Sequence, residues 1–199
     1  MLHVRPLRRS ELPVNTVKLA RYLIGKTLIC DSKEGRMAGR IVETEAYVVG
    51  DAAAHSFIGR TARNQSLFLE HGHAYVYFIY GNWYSLNVSA EKADVGAGIL
   101  LRALEPLEGI SIMKRHRGGA ALEDLMRGPG RLATAMGIDR RYDGINLCAP
   151  GPIWLGAAVR KPGDIGTSVR IGITKEAHRL LRYYEKGSPF VSGPLRLRQ

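Results

Sequence analysis

Four short runs of apolar, β-branched and aromatic residues constrain the fold of this chain more than any other feature of its sequence. They span residues 39–45, 74–80, 84–90 and 98–104. Residues of these types favour strands. Residues 27–30 predict a further strand, which a polar turn at residues 31–35 joins to the strand at 39–45 as a hairpin. We therefore expect a largely antiparallel sheet.

Helices are predicted on either side of these strands. Residues 15–24 carry an apolar stripe, with Asn15 placed to cap the helix and Gly25 to end it. Further predictions are helices at residues 107–117 and 131–136 and strands at 153–159 and 169–173. The pattern predicts an α+β fold in which residues 1–199 form a single compact domain, with a curved, largely antiparallel sheet flanked by helices.

The charge balance indicates the kind of partner. The formal net charge is +11, from 29 Lys+Arg against 18 Asp+Glu, and such an excess favours a polyanion such as nucleic acid. A basic protein without such a partner would have the same composition, so charge alone leaves both open. Cys30 and Cys148 are too few for a disulfide framework or a four-thiolate metal site. Because no apolar run resembles a signal peptide or membrane span, we expect a cytoplasmic protein with no membrane partner.

Glu43 and Glu45 are the first candidates for catalysis. They lie two residues apart in a predicted strand, so their side chains should share a face. Two carboxylates held close together raise the pKa of one of them, which suits a base that works near neutrality. Two glutamates on a solvated strand edge would have the same spacing.

Tyrosines on the predicted strand at residues 74–80 are candidates for stacking on bases. Alternation places Tyr75 and Tyr77 on one face and Tyr80 on the other. Tyr80 precedes Gly81 at the strand end, where it could enter a duplex and fill the gap left by an extruded base. A core strand with interface tyrosines would give the same pattern.

Together, these segments resemble the alkyladenine (3-methyladenine) DNA glycosylase family of the mammalian and Bacillus type. The resemblance covers nearly the whole chain. It is densest at residues 39–47 (GRIVETEAY), 54–56, 75–81, 86–89, 100–106, 128–132 and 187–192. Several matching strings in the right order are more specific than any single motif.

The resemblance implies an enzyme that flips a damaged purine out of double-stranded DNA and hydrolyses its N-glycosidic bond, leaving an abasic site. The implied substrates are 3-methyladenine, 7-methylguanine, hypoxanthine and ethenoadenine. Glu45 matches the general base that activates water, and Arg102 matches a residue that holds this water and a nearby phosphate. The family works without a metal or other cofactor, and we expect a monomer without strand-nicking lyase activity.

The remaining implied roles concern the flipped base. Tyr47, His55 and Tyr77 match the pocket walls, and Asn87 matches a residue that penalises bases with an exocyclic 2-amino group. Tyr80 matches the side chain that intercalates into the duplex.

Two other functions fit part of the sequence. A non-catalytic nucleic-acid-binding domain would explain the charge and the tyrosines, but it gains nothing from a carboxylate that faces phosphates. A carbohydrate glycosidase could use Glu43 and Glu45, but it leaves the charge and Tyr80 unexplained.

Overall fold

The computed structural model describes residues 2–195, and an antiparallel sheet of eight strands organises this part of the chain. The strands are β1 (Thr27–Ser32), β2 (Gly35–Tyr47), β3 (Ala74–Ile79), β4 (Trp83–Ser89), β5 (Gly98–Glu108), β6 (Ile153–Gly156), β7 (Ile165–Ser168) and β8 (Arg182–Glu185). Their order is β3-β4-β5-β2-β1-β6, while β8 pairs with β2 and with β7. The sheet is curled, and the α+β class and single compact domain predicted from the sequence are confirmed.

The α-helices among residues 2–195 are α1 (Thr16–Leu23), α2 (Ile110–His116) and α3 (Pro129–Ala135), and no helix there is long and apolar enough to cross a bilayer. Helix α1 begins as predicted, because the Asn15 side chain accepts a hydrogen bond from the backbone N–H of Lys18 at 3.1 Å. It ends just before Gly25, whose φ of +84° suits glycine. The buried face of α1 packs on β2, where the Thr44 hydroxyl donates to the carbonyl of Ala20.

Strand β2 is the longest strand and the centre of the sheet. One side pairs with β5, and the other pairs first with β1 and then, over Glu43–Glu45, with β8. Register shifts on either side of Glu43 mark bulges in its pairing with β5. Residues 37–46 are all buried, so Glu43 and Glu45 are held inside the protein and not on a solvated edge.

One segment prediction was wrong, and the bounds of two others differ from those predicted. Residues 169–173 form no strand, and the late strands are instead β7 and β8. The strand predicted at 153–159 ends at Gly156. The helix predicted from residue 107 begins at Ile110, because pairing with β2 extends β5 to Glu108 and Gly109 then turns the chain with a φ of +76°. Tertiary pairing outweighs local preference here.

Strand β3 lies at one edge of the sheet, and side chains occupy part of that edge. The Val76 carbonyl accepts a hydrogen bond from Arg140 at 2.8 Å, and the Val76 N–H donates to Asp143 at 2.9 Å. The Phe78 carbonyl accepts from Arg63 at 3.3 Å. Three of the backbone groups that could pair with another strand are therefore already bonded.

Candidate active site

A pocket of about 480 Å³ opens beside the β3–β4 hairpin and reaches down to β2 and β5. A cavity of this size holds a small aromatic molecule. Its lining is mostly aromatic, with contributions from Tyr47, His55, Tyr75, Tyr77 and Trp83. Arg127, which precedes α3, and Arg131, in the first turn of α3, also line it. Glycine is needed at position 130 beside them, since a Cβ there would lie 2.9 Å from the Trp83 ring.

Glu45 lies directly behind the wall of this pocket. Its side chain has no exposed surface. It accepts hydrogen bonds from the backbone N–H of Ile171 at 2.7 Å and from the Tyr47 hydroxyl at 3.0 Å, and Arg102 lies 3.2 Å away. Because Tyr47, Arg102 and Ile171 all line the pocket, a ligand in the pocket lies one side chain away from the carboxylate.

Glu43 and Glu45 do share a face, as predicted, since both contact Arg102. Their surroundings nevertheless shift their pKa values in opposite directions. Burial raises the pKa of Glu45 above its usual range, against the opposing pull of Arg102 and the Ile171 N–H, and the like charge of Glu43 adds a smaller rise. Burial opposes ionisation of Glu43 too, but Arg102 and Arg182 outweigh it and hold the Glu43 pKa below its usual range.

Glu43 holds Arg102 in place. The Arg102 Nε donates to Glu43 at 2.9 Å, and Arg182 donates to the same carboxylate at 2.6 Å. The N–H of Ser192 donates to the other Glu43 oxygen at 2.6 Å, and its hydroxyl accepts from Arg102 at 3.2 Å. The buried carboxylate of Glu43 thus fixes the Arg102 guanidinium beside Glu45. It does so through contacts from β2, β5, β8 and the segment at Ser192.

His55, Tyr75 and Tyr77 form one aromatic wall. The rings of Tyr75 and Tyr77 stack with their centres 5.3 Å apart, and the His55 ring meets Tyr77 edge-on at 4.4 Å. The His55 Nδ1 is 2.9 Å from the Tyr75 hydroxyl, and burial and nearby Arg63 lower the His55 pKa. Burial thus favours the neutral form of the imidazole, whose Nδ1 is paired with the Tyr75 hydroxyl. Tyr75, a stacking candidate to which the family resemblance assigned no role, is thus part of the wall.

Asn87 and Tyr80 complete the predicted set. Asn87 lines the pocket and is buried, with its amide nitrogen donating to the Tyr75 carbonyl at 3.2 Å. Tyr80 stands at the tip of the β3–β4 hairpin, 78% exposed and at the pocket rim. Its φ of +55° is unusual for a bulky residue and turns the chain sharply at that point. All seven predicted site residues therefore meet in or immediately behind one pocket.

Arg170 and Asp51 are components of the site that the sequence did not reveal. They form a fully buried ion pair, and Arg170 also donates to the Ala46 carbonyl at 3.1 Å. Arg170 lies in the segment wrongly predicted as a strand, next to Ile171, and Asp51 lies in a loop with no motif. Pairs separated by 119 residues leave no local signal in a sequence.

Metal ligands are not grouped in the described chain. Between residues 2 and 195, no cluster of three or more His, Cys, Asp or Glu side chains could hold an ion. His71 and His73, which lie two residues apart, are outside the pocket lining.

The fold and the site define a basic α+β protein in which a buried carboxylate lies behind the wall of an aromatic pocket. The family model for methylpurine-DNA glycosylases matches residues 10–189. A protein of Mesorhizobium japonicum named "Putative 3-methyladenine DNA glycosylase" is 62% identical over 194 residues, which cover 98% of this chain and 93% of that protein. Proteins of the same name from Paraburkholderia phytofirmans and Chlorobium phaeovibrioides are 53% and 43% identical, over 98% and 94% of this chain and 92% and 96% of theirs. The chain belongs to the methylpurine-DNA glycosylase family, which confirms the resemblance noted in its sequence.

Proposed function

We propose that this protein is a monofunctional DNA glycosylase that everts alkylated or deaminated purines from double-stranded DNA and hydrolyses their N-glycosidic bond. The substrates are 3-methyladenine, 7-methylguanine, hypoxanthine and ethenoadenine, and the product is an abasic site. One observation carries the proposal: a fully buried carboxylate, Glu45, lies behind an aromatic pocket and is bonded to three groups that line it.

The aromatic walls select the base. Tyr47 and Tyr77 stack on the everted purine, and electron-poor or cationic rings bind such faces most strongly. His55 supplies a hydrogen bond to the base or sugar. Asn87, fixed against Tyr75, disfavours purines that carry an exocyclic 2-amino group, such as normal guanine.

Glu45 drives the hydrolysis. Its carboxylate takes a proton from a water molecule as the water oxygen bonds to C1′ of the sugar. The glycosidic bond breaks at the same time, and its electron pair leaves with the base. The ionised carboxylate also stabilises the positive charge that develops on the sugar. Arg102 holds the water and a nearby phosphate, and Glu43 holds Arg102.

Binding of the duplex uses the surface around the pocket. Tyr80 enters the helix and fills the space left by the everted base. Arg127 and Arg131, which line the pocket, face the phosphates of the strand. Among the described residues that line the pocket there is no lysine to form a Schiff base, which supports hydrolysis without strand nicking. The protein acts as a monomer.

The direct test uses duplex oligonucleotides that each carry one of the four lesions. Purified protein is incubated with each duplex, and abasic sites are then cleaved with alkali. We expect excision by the wild type and a loss of roughly 10²–10⁴-fold in Glu45→Gln, which retains binding to damaged DNA. Glu34→Gln, which removes an exposed carboxylate outside the pocket lining, is the matched control and should excise normally.

The same experiment decides between this function and the two alternatives. Binding without excision by the wild type would favour a nucleic-acid-binding domain. Cleavage of simple glycosides in place of DNA would favour a carbohydrate glycosidase. Full excision by Glu45→Gln would contradict the proposed mechanism, and a covalent DNA adduct trapped with borohydride would contradict simple hydrolysis.

A further inference from the structure

A tight turn at residues 56–59 exposes two neighbouring apolar side chains beside the pocket. Phe57 is 54% exposed and Ile58 is 79% exposed. The turn is closed by a hydrogen bond from the N–H of Gly59 to the carbonyl of Ser56 at 3.0 Å. His55 and Ser56 line the pocket, so the turn that carries the two apolar side chains begins at the pocket wall.

Asn64 holds this turn in one conformation. It is buried, and its amide nitrogen donates to the carbonyls of His55 and Gly59, at 2.8 and 2.9 Å. Its amide oxygen accepts a hydrogen bond from the N–H of Thr61 at 2.7 Å. The hydrogen bonds of this one side chain therefore bridge both ends of the turn and present the apolar pair in a fixed direction.

We propose that Phe57 and Ile58 form a second apolar wedge, which contacts the base steps next to the everted nucleotide. The inference rests on the proposed function, because a strand whose base occupies the pocket must cross the pocket rim. Phenylalanine and isoleucine are among the side chains that proteins insert between base steps to unstack them. Arg63 follows on the same loop and provides positive charge next to the pair, whereas the charge of Arg60 is paired with Asp94. That charge fits DNA as the occupant better than an apolar protein surface.

The second wedge and Tyr80 act at different positions as the duplex opens. Tyr80 replaces the lost base inside the helix, while Phe57 and Ile58 act on the neighbouring step. A single strand has no partner strand from which its bases must be separated. The apolar pair should therefore increase the excision rate on duplex DNA and affect the rate on single-stranded DNA much less.

The test compares the double variant Phe57→Ser/Ile58→Ser with Leu180→Ser. Leu180 is 61% exposed and lies outside the pocket lining, so it controls for the loss of an exposed apolar side chain. Single-turnover excision is measured on one hypoxanthine-containing sequence, both as duplex and as single strand. We expect the duplex rate of the double variant to fall roughly tenfold or more, with its single-strand rate and both control rates changed less than about twofold. An unchanged duplex rate, or equal losses on both substrates, would overturn the second wedge.

A readout without catalysis separates this inference from the proposed function. In the Glu45→Gln background, 2-aminopurine is placed next to the lesion and its fluorescence reports local unstacking. We expect fluorescence to rise with the native turn and to stay low with the double variant. If both proteins give the same signal, the wedge is wrong, whereas absence of excision by the wild type counts only against the proposed function.

Discussion

The guanidinium of Arg170 lies 4.6 Å from the centre of the Tyr47 ring, on a side chain that is fully buried and ion-paired with Asp51. Tyr47 is a wall of the pocket, and the residue after Arg170 is Ile171, whose N–H donates to Glu45. A single buried cation therefore supports both a wall of the pocket and a donor that fixes the carboxylate proposed as the general base.

Removing the charge of Asp51 should damage both the fold and the site. Asp51→Asn leaves the buried cation of Arg170 without its counter-charge, so we expect the free energy of unfolding to fall by about 3–5 kcal/mol. Urea unfolding measures this loss, and excision at a temperature where the variant is folded should also be slower. Glu34→Gln breaks an exposed pair with Arg115 and should change stability only slightly. Equal stability of the two variants would show that the buried pair does not support the fold.

Excision should depend on the ionisation of Glu45. Because burial raises the pKa of this carboxyl, its active, ionised form is lost at a higher pH than for an ordinary glutamate. We expect kcat/KM to fall with decreasing pH, with the midpoint above the usual value of about 4.3. Tyr47→Phe removes a hydrogen bond that favours the ionised form, so it should move this midpoint to still higher pH. A midpoint that Tyr47→Phe moves to lower pH would contradict this account of Glu45.

Replacing the two neighbouring glutamates should change stability in opposite directions. The raised pKa of Glu45 means that the folded protein binds its proton more tightly than the unfolded chain. Unfolding free energy therefore falls as pH rises through that pKa window, and the ionised group is destabilising at neutral pH. The pKa of Glu43 is lower in the folded protein than in the unfolded chain, so this group stabilises the fold at pH values above its pKa in the unfolded chain. That contribution is lost as pH falls through its pKa in the folded protein. At pH 7 we expect Glu45→Gln to raise Tm and Glu43→Gln to lower it. If both substitutions shifted Tm in the same direction, the opposite effects of Glu43 and Glu45 on stability would be refuted.

Two substitutions of Tyr80 should distinguish its role in base extrusion from the backbone strain at this position. Both Tyr80→Ala and Tyr80→Gly remove the ring and should weaken base extrusion, measured as 2-aminopurine fluorescence opposite the lesion. Glycine accepts the φ of +55° without strain. Alanine in the same left-handed backbone conformation costs about 1–2 kcal/mol. Tyr80→Gly should therefore be more stable than Tyr80→Ala while extruding bases equally poorly. Unimpaired extrusion in both would exclude Tyr80 as the intercalating side chain.

Affinity for DNA should fall steeply with salt, because the net charge of +11 favours phosphate contacts. Each neutralised phosphate contributes a slope of about −0.9 to a plot of log affinity against log salt concentration. Arg131→Gln, at the pocket margin, should make this slope shallower by about one unit. Binding that is insensitive to salt would argue against a phosphate-contacting surface.

The sequence predicted the parts of the fold that local chemistry determines. The cap at Asn15, the end of α1 before Gly25 and the strands around Glu45 and Tyr77 all follow from residue type and spacing. Strand β8 was missed because it is only four residues long and two of them, Arg182 and Glu185, are charged. It is buried because those charges pair with Glu43 and Arg40, which lie far away in the sequence.

The predicted site residues meet around one pocket, but their energetics depend on contacts that no motif contains. Spacing suggested that repulsion between Glu43 and Glu45 would set the higher pKa, whereas burial of Glu45 is the larger cause. The support of Tyr47 by Arg170 depends on where a distant loop returns to the sheet. Such support is visible only in three dimensions.

The bonded edge of β3 has a consequence for association between copies of the protein. Exposed edges recruit strands from other molecules and so begin ordered aggregates. Arg63, Arg140 and Asp143 occupy backbone groups at Val76 and Phe78 that a foreign strand would need. Even at high concentration, neighbouring copies therefore have few free backbone groups in β3 with which to extend the sheet at this edge.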